Sequence, residues 1–206
     1  DGVVIGFAGE DAEMMDAVNF LGRSLVISVF IILLILVAQF NSIGKTLIIM
    51  TEVIFSVIGV LLGMAIFNMD FVVIMMGVGI VALAGIVVRN GILLVEFTDK
   101  LRQDGYEVKE AIIEAGRIRM TPVLLTATAA ILGLLPLAVG FNIDFASLLS
   151  TGDPVIFFGG DSVAFWGPLS WTIIFGLGFA TFITLVILPA MYMAGWSTKR
   201  WWAQKF

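Results

Sequence analysis

The chain has 206 residues, of which 60% are hydrophobic and 13% charged, with a formal net charge of −5 and a mean hydropathy of +1.10. Soluble domains carry roughly a quarter charged residues, so this composition excludes a water-soluble globular domain, a disordered chain and a disulfide scaffold together. With neither Cys nor His, the usual metal ligands, a thiol nucleophile and the usual neutral-pH base are absent, and the remaining class is an integral membrane protein with no metal, cofactor or catalytic site expected.

A bilayer core about 30 Å thick takes roughly 20 apolar residues of helix. Residues 1–22 are too polar for a span and read as the end of an outside domain: a strand over 3–7, then a helix from about Asp11 that leads into the membrane. Five apolar segments follow, over 23–44, 45–68, 70–97, 121–140 and 169–195, so the expected fold is an all-α membrane protein with five transmembrane helices. Pro122 falls in the first turn of the fourth span, where a missing N–H is harmless. Residues 98–120 alternate in charge, and Val108, Ala111, Ile112 and Ala115 recur at helical spacing, which predicts an amphipathic helix or loop on the membrane surface. Residues 141–168 read as a connecting loop and 196–206 as a tail. Trp171, Trp196, Trp201 and Trp202 fall near the expected lipid–water interfaces.

Lys and Arg set the orientation. Lys45, the five basic residues from Lys100 to Arg119, and Lys199, Arg200 and Lys205 all fall on one side. The opposite connections carry acids such as Glu10, Asp16, Asp70, Asp144 and Asp161, with only Arg23 at the mouth of the first span. This places the N-terminus outside and the C-terminus in the cytoplasm. No signal-peptide pattern precedes the first span, so the chain reads as the C-terminal piece of a longer protein.

Arg89 is the principal candidate for a functional charge. A cation near the centre of a membrane helix costs about 2.5–3.5 kcal/mol even on the lenient insertion scale, so it pairs with a carboxylate or faces a water-filled path. Glu96 lies seven residues on, on the same face but two turns away, too far for a direct bridge. Glu52, in the second span, can pair with Arg89 or sit at a polar contact between helices. Small residues crowd the third span, and Gly59 and Gly63 form a GxxxG in the second, the pattern of close helix packing.

Four motifs in order carry a family resemblance: LVAQFNSI (Leu36–Ile43), GIVVRNGILLVEF (Gly85–Phe97), EAGRIRMTPVLLTATAAILGLLPLAVG (Glu114–Gly140) and FATFITLVILPAMY (Phe179–Tyr192). Over almost its whole length the chain resembles the resistance-nodulation-division (RND) exporters, most nearly their AcrB-like hydrophobe/amphiphile multidrug branch. The resemblance implies the last five of twelve transmembrane helices, preceded by a remnant of a periplasmic porter domain. It implies a proton/substrate antiporter rather than an enzyme, with protons as the coupling ion and no cofactor. In such pumps a basic residue, normally Lys, sits against an intramembrane Asp pair of the N-terminal half. Arg89 occupies that position, Asn90 adjoins it, and Thr126 matches a Thr of the relay. Arg in place of Lys keeps the charge but cannot release a proton. The implied setting is the inner membrane of a Gram-negative bacterium, as a homotrimer among membrane lipids, with a periplasmic adaptor and an outer-membrane channel. Nothing in the pattern points to nucleic acid. The rival expectations are a non-transporting membrane scaffold and a lipid or sterol transporter of the same superfamily.

Overall fold

The computed structural model describes residues 9–145, 149, 152 and 155–205. Its elements in chain order are α1 (Glu10–Phe40), α2 (Ile43–Phe67), α3 (Val73–Gln103), α4 (Val108–Val139), β1 (Phe141–Asp144), β2 (Val155–Phe158) and α5 (Asp161–Lys205). All five helices are long and apolar enough to cross a bilayer, so the chain is an all-α membrane protein with one small sheet. The strand expected over 3–7 and the side chains of Lys199, Arg200, Trp201, Trp202 and Lys205 lie outside the described residues.

The helix ends follow from local chemistry. Asn41 closes α1 in the left-handed region at φ 45°, its N–H bonded to the Val37 carbonyl at 2.9 Å. Asn68 closes α2 at φ 48°, and the next N–H, of Met69, reaches back to the Met64 carbonyl at 3.0 Å. Asn tolerates this conformation better than other side-chain-bearing residues, and each such turn satisfies carbonyls that would otherwise be orphaned.

α5 is the centre of the bundle. It packs on α2, α3 and α4, while α1 lies at the edge against α2 and α3. Gly59 and Gly63 of α2 let α5 approach closely: a Cβ at either position would overlap Phe179 or Phe175. Gly176 of α5 in turn receives Leu83 and Val60. At one end of the bundle Phe67, Phe175 and Trp171 stack, with ring centroids 5.1 Å apart for Phe67–Phe175 and 5.2 Å for Trp171–Phe175. Most of α1 turns its apolar side chains outward, Val26, Ile27 and Phe30 among them.

The helix expected from about Asp11 runs straight into the first span as α1. Two segments differ from the expectation. Residues 108–120 form no separate surface helix: α4 runs unbroken through them into the fourth span. The reason is packing, because Val108, Ala111, Ile112 and Ala115 are buried in one cluster with Leu101, Leu36 and Tyr192. Pro122 therefore lies in the helix interior and leaves the Ile118 carbonyl without its i+4 donor. Finally, 141–168 is more than a loop. β1 and β2 pair antiparallel, with Phe141 opposite Phe158 and Asp144 opposite Val155, and α5 already begins at Asp161. The Asn142 side chain closes the base of this hairpin, donating to the carbonyls of Gly140 at 3.1 Å and Gly159 at 2.7 Å.

Candidate functional site

Arg89 sits at the middle of α3, and helical periodicity puts it on one stripe with Ala82 and Gly85. Small residues on this stripe and on the facing stripe of α4 keep the two helices from filling the space between them. The result is a cleft of about 460 Å³ lined by Gly85, Arg89 and Asn90 of α3, Thr126 and Ala130 of α4, and Leu177 of α5. Arg89, Asn90 and Thr126, three residues singled out in the sequence, thus line a single cavity. Arg89 is exposed on this outer face and Asn90 is buried beside it. The Thr126 hydroxyl donates to the Val123 carbonyl at 3.0 Å. Among the described residues no carboxylate lies within ion-pairing distance of Arg89.

Glu52 does not pair with Arg89. Its side chain, 2% exposed, lies where α2, α3 and α5 meet, against Gly91 and near Thr184. Gly91 follows Arg89 by two residues, about 200° around a helix, so Glu52 and Arg89 occupy opposite faces of α3. A Cβ at Gly91 would come within 2.6 Å of Glu52 Oε2, so the carboxyl fits only because the facing residue is Gly. Glu52 thus lies at a junction of three helices, apart from the Arg89 cleft.

Glu96 is exposed and belongs to a different cleft, of about 740 Å³, shared with Gln39, Lys45, Asp99 and Arg102. Beside it is an arrangement the sequence did not announce. Lys45 Nζ of α2 is 2.6 Å from Asp99 Oδ2 of α3, and the Tyr192 hydroxyl of α5 donates to Asp99 Oδ1 at 2.7 Å. One carboxylate thus ties three helices at the end of the bundle opposite the aromatic stack. These partners are 54 and 93 residues apart in the chain, so no local spacing could have signalled them. Nearby, the Arg119 guanidinium lies 4.6 Å from the centre of the Phe97 ring. That contact offsets part of the cost of placing a cation at the bundle wall.

Comparison with known proteins fits this architecture. Residues 1–143 match the AcrB/AcrD/AcrF family. The swarming motility protein SwrC of Bacillus subtilis is 33% identical over 192 residues, 93% of this chain and 16% of that protein. The multidrug resistance protein MdtC of Erwinia tasmaniensis is 35% identical over 137 residues, 66% of this chain and 12% of that one. A crystal structure of a heavy metal efflux pump superposes with a TM-score of 0.71 at 26% identity, covering 92% of this chain and 17% of the pump. The chain therefore spans less than a fifth of the length of each of these proteins.

Proposed function

Because the chain belongs to the AcrB/AcrD/AcrF family of RND transporters, we propose that it forms part of the proton-coupling helix bundle of an inner-membrane exporter of amphiphilic compounds. The observation that carries this reading is the cleft itself. A permanently charged Arg89, an amide and a hydroxyl converge at mid-span on the outer face of α3 and α4. The partner that fits there is a pair of intramembrane carboxylates on a helix of the N-terminal half of the parent protein. When both carboxylates are ionised they draw Arg89 in; when they protonate, the attraction falls and the helices reseat. Arg89 acts as the charge partner and carries no proton itself, because a guanidinium stays protonated at any physiological pH. Moving one charge through 100 mV is worth about 2.3 kcal/mol, enough to bias two packings of a bundle. In this reading the parent works as a homotrimer with a periplasmic adaptor and an outer-membrane channel. The Lys45–Asp99 end of the bundle faces the cytoplasm.

The test is efflux of a fluorescent amphiphile from cells carrying the full-length parent. Arg89→Ala is expected to reduce efflux to the level of a host without the pump, with membrane insertion unchanged, since removing the charge eases insertion. Arg89→Lys is expected to retain efflux. Efflux by Arg89→Ala at the parental rate would overturn the reading.

The likeness to a heavy metal efflux pump favours a second cargo class, metal cations, moved by the same bundle. Arg89 would repel a cation from this cleft, so a metal cargo would travel elsewhere in the parent. Parallel accumulation assays with the dye and with a heavy-metal salt separate the two cargoes.

A further inference from the structure

Glu52 has no place in the coupling scheme above, yet it is the most unusual side chain in the bundle. It is 2% exposed, and both of its carboxyl oxygens are buried with no well-aligned hydrogen bond among the described residues, the Thr184 hydroxyl and the Gly91 backbone being the polar groups beside them. Its neighbour Thr184 donates its hydroxyl to the Ala180 carbonyl at 2.8 Å, so that proton is already committed. Gly91 presents only backbone. Among the described side chains, the charged groups on the three surrounding elements are engaged elsewhere or face away. On α2, Lys45 is held by Asp99, two turns from Glu52. On α3, Arg89 faces the opposite cleft, and Glu96, Asp99, Lys100 and Arg102 line the cleft at the bundle end. α5 carries no charged residue between Asp161 and Trp196. An ionised carboxylate cannot be held in such a place without a counter-charge, and the physical resolution is to take up a proton.

We propose that Glu52 is a proton-binding site of this bundle, separate from the Arg89 cleft. While α2, α3 and α5 are closed on it, the side chain is the neutral acid, and it ionises only when the junction parts and admits water. The step is a single proton exchange between a carboxylate oxygen and water, with no other bond made or broken. Because Gly91 is the floor of this site and lies two residues from Arg89, the Glu52 site and the Arg89 cleft flank opposite faces of α3. The inference does not rest on the transport reading, and its test needs no efflux.

The test uses the full-length parent reconstituted in vesicles, compared with Glu52→Gln. Infrared spectra are recorded across a pH series, with amide hydrogen exchange followed in α2 and α5. The expected result is a carboxylic-acid C=O band present at neutral pH in the parent and lost in Glu52→Gln. Protection of the amides around Glu52 and Thr184, taken relative to the intrinsic exchange rate at each pH, should fall as the band disappears at alkaline pH, and should hold in Glu52→Gln throughout. Superposable spectra from the two proteins would overturn the proposal. So would a Glu52-dependent band that vanishes near the ordinary Glu value of about 4.3, or one whose intensity follows sodium concentration at fixed pH. Glu52→Met, apolar and of similar length, provides the same readout if the Gln variant does not assemble. Failure of both neutral variants to assemble would mean that the junction needs an ionised carboxylate, and this too would overturn the proposal.

Discussion

Asp99 joins three helices through its side chain, since it receives both Lys45 and Tyr192. The two bonds are unequal. Lys45 and Asp99 are partly solvated, and such ion pairs are worth about 0–1 kcal/mol. Tyr192 is buried, and its hydroxyl bond is worth about 0.5–1.5 kcal/mol net, with a larger loss when the acceptor is removed and the donor stays behind. Thermal unfolding of the parent in detergent should therefore rank the variants. Lys45→Met should be nearly silent, Tyr192→Phe should cost about 1 kcal/mol, and Asp99→Ala should cost more than the other two together. An Asp99→Ala variant as stable as Tyr192→Phe would show that the orphaned hydroxyl finds water. At this scale the sequence was informative about Arg89, Asn90 and Thr126, because a family motif brings them to notice. It was uninformative about Asp99, which looked like one more solvated charge in an alternating run, and about which of its two environments Glu52 adopts. Both depend on partners from distant helices.

At the level of elements, α2 and α5 meet through complementary sizes. Gly59 and Gly63 are one turn apart, as are Phe175 and Phe179, and each ring fills the space left by a missing Cβ. Gly63→Ala is therefore an overpacking substitution, with an expected cost of about 1–3 kcal/mol. Combining it with Phe175→Leu should recover part of that loss, whereas Phe175→Leu alone should destabilise by leaving a void. Additive losses in the double variant would mean that the two residues do not share the contact. The GxxxG was visible in the sequence as a packing signal, but its occupant was not, because helical periodicity reports which face is small and not which helix lies on it. The same limit explains α4. Hydropathy marks where a helix is apolar enough for lipid, and it falls off before Thr121. The helix itself continues back to Val108, since burial against the bundle end holds the polar segment helical. The β1–β2 hairpin was missed for another reason: two four-residue strands beside a span leave too little alternation to separate from a loop.

For the whole molecule, five crossings were legible because each is a window of continuous apolar residues. The order in which they pack was not, and α5, last in the chain, proves to be the hub. Orientation has a direct readout. The chain contains no Cys, so single cysteines can be placed in it once any cysteines elsewhere in the parent are replaced. At Asn142 a membrane-impermeant thiol reagent should label intact cells, and at Gln103 only permeabilised ones. The reverse pattern would invert the topology inferred from the basic residues. The length of α4 has a further consequence. Its 32 residues make a rod of about 48 Å against a hydrocarbon layer of about 30 Å, so about a third of it stands clear of the membrane. Thr126 lies on the buried stretch of this rod and Glu114 and Arg117 on the free one, where they approach within 3.9 Å. The helix is thus a lever with its fulcrum in the bilayer. A tilt of about 5° at Thr126 would move the Val108 end, about 27 Å away, by about 2 Å, beside Lys109 and Glu110, which are exposed to water-soluble reagents.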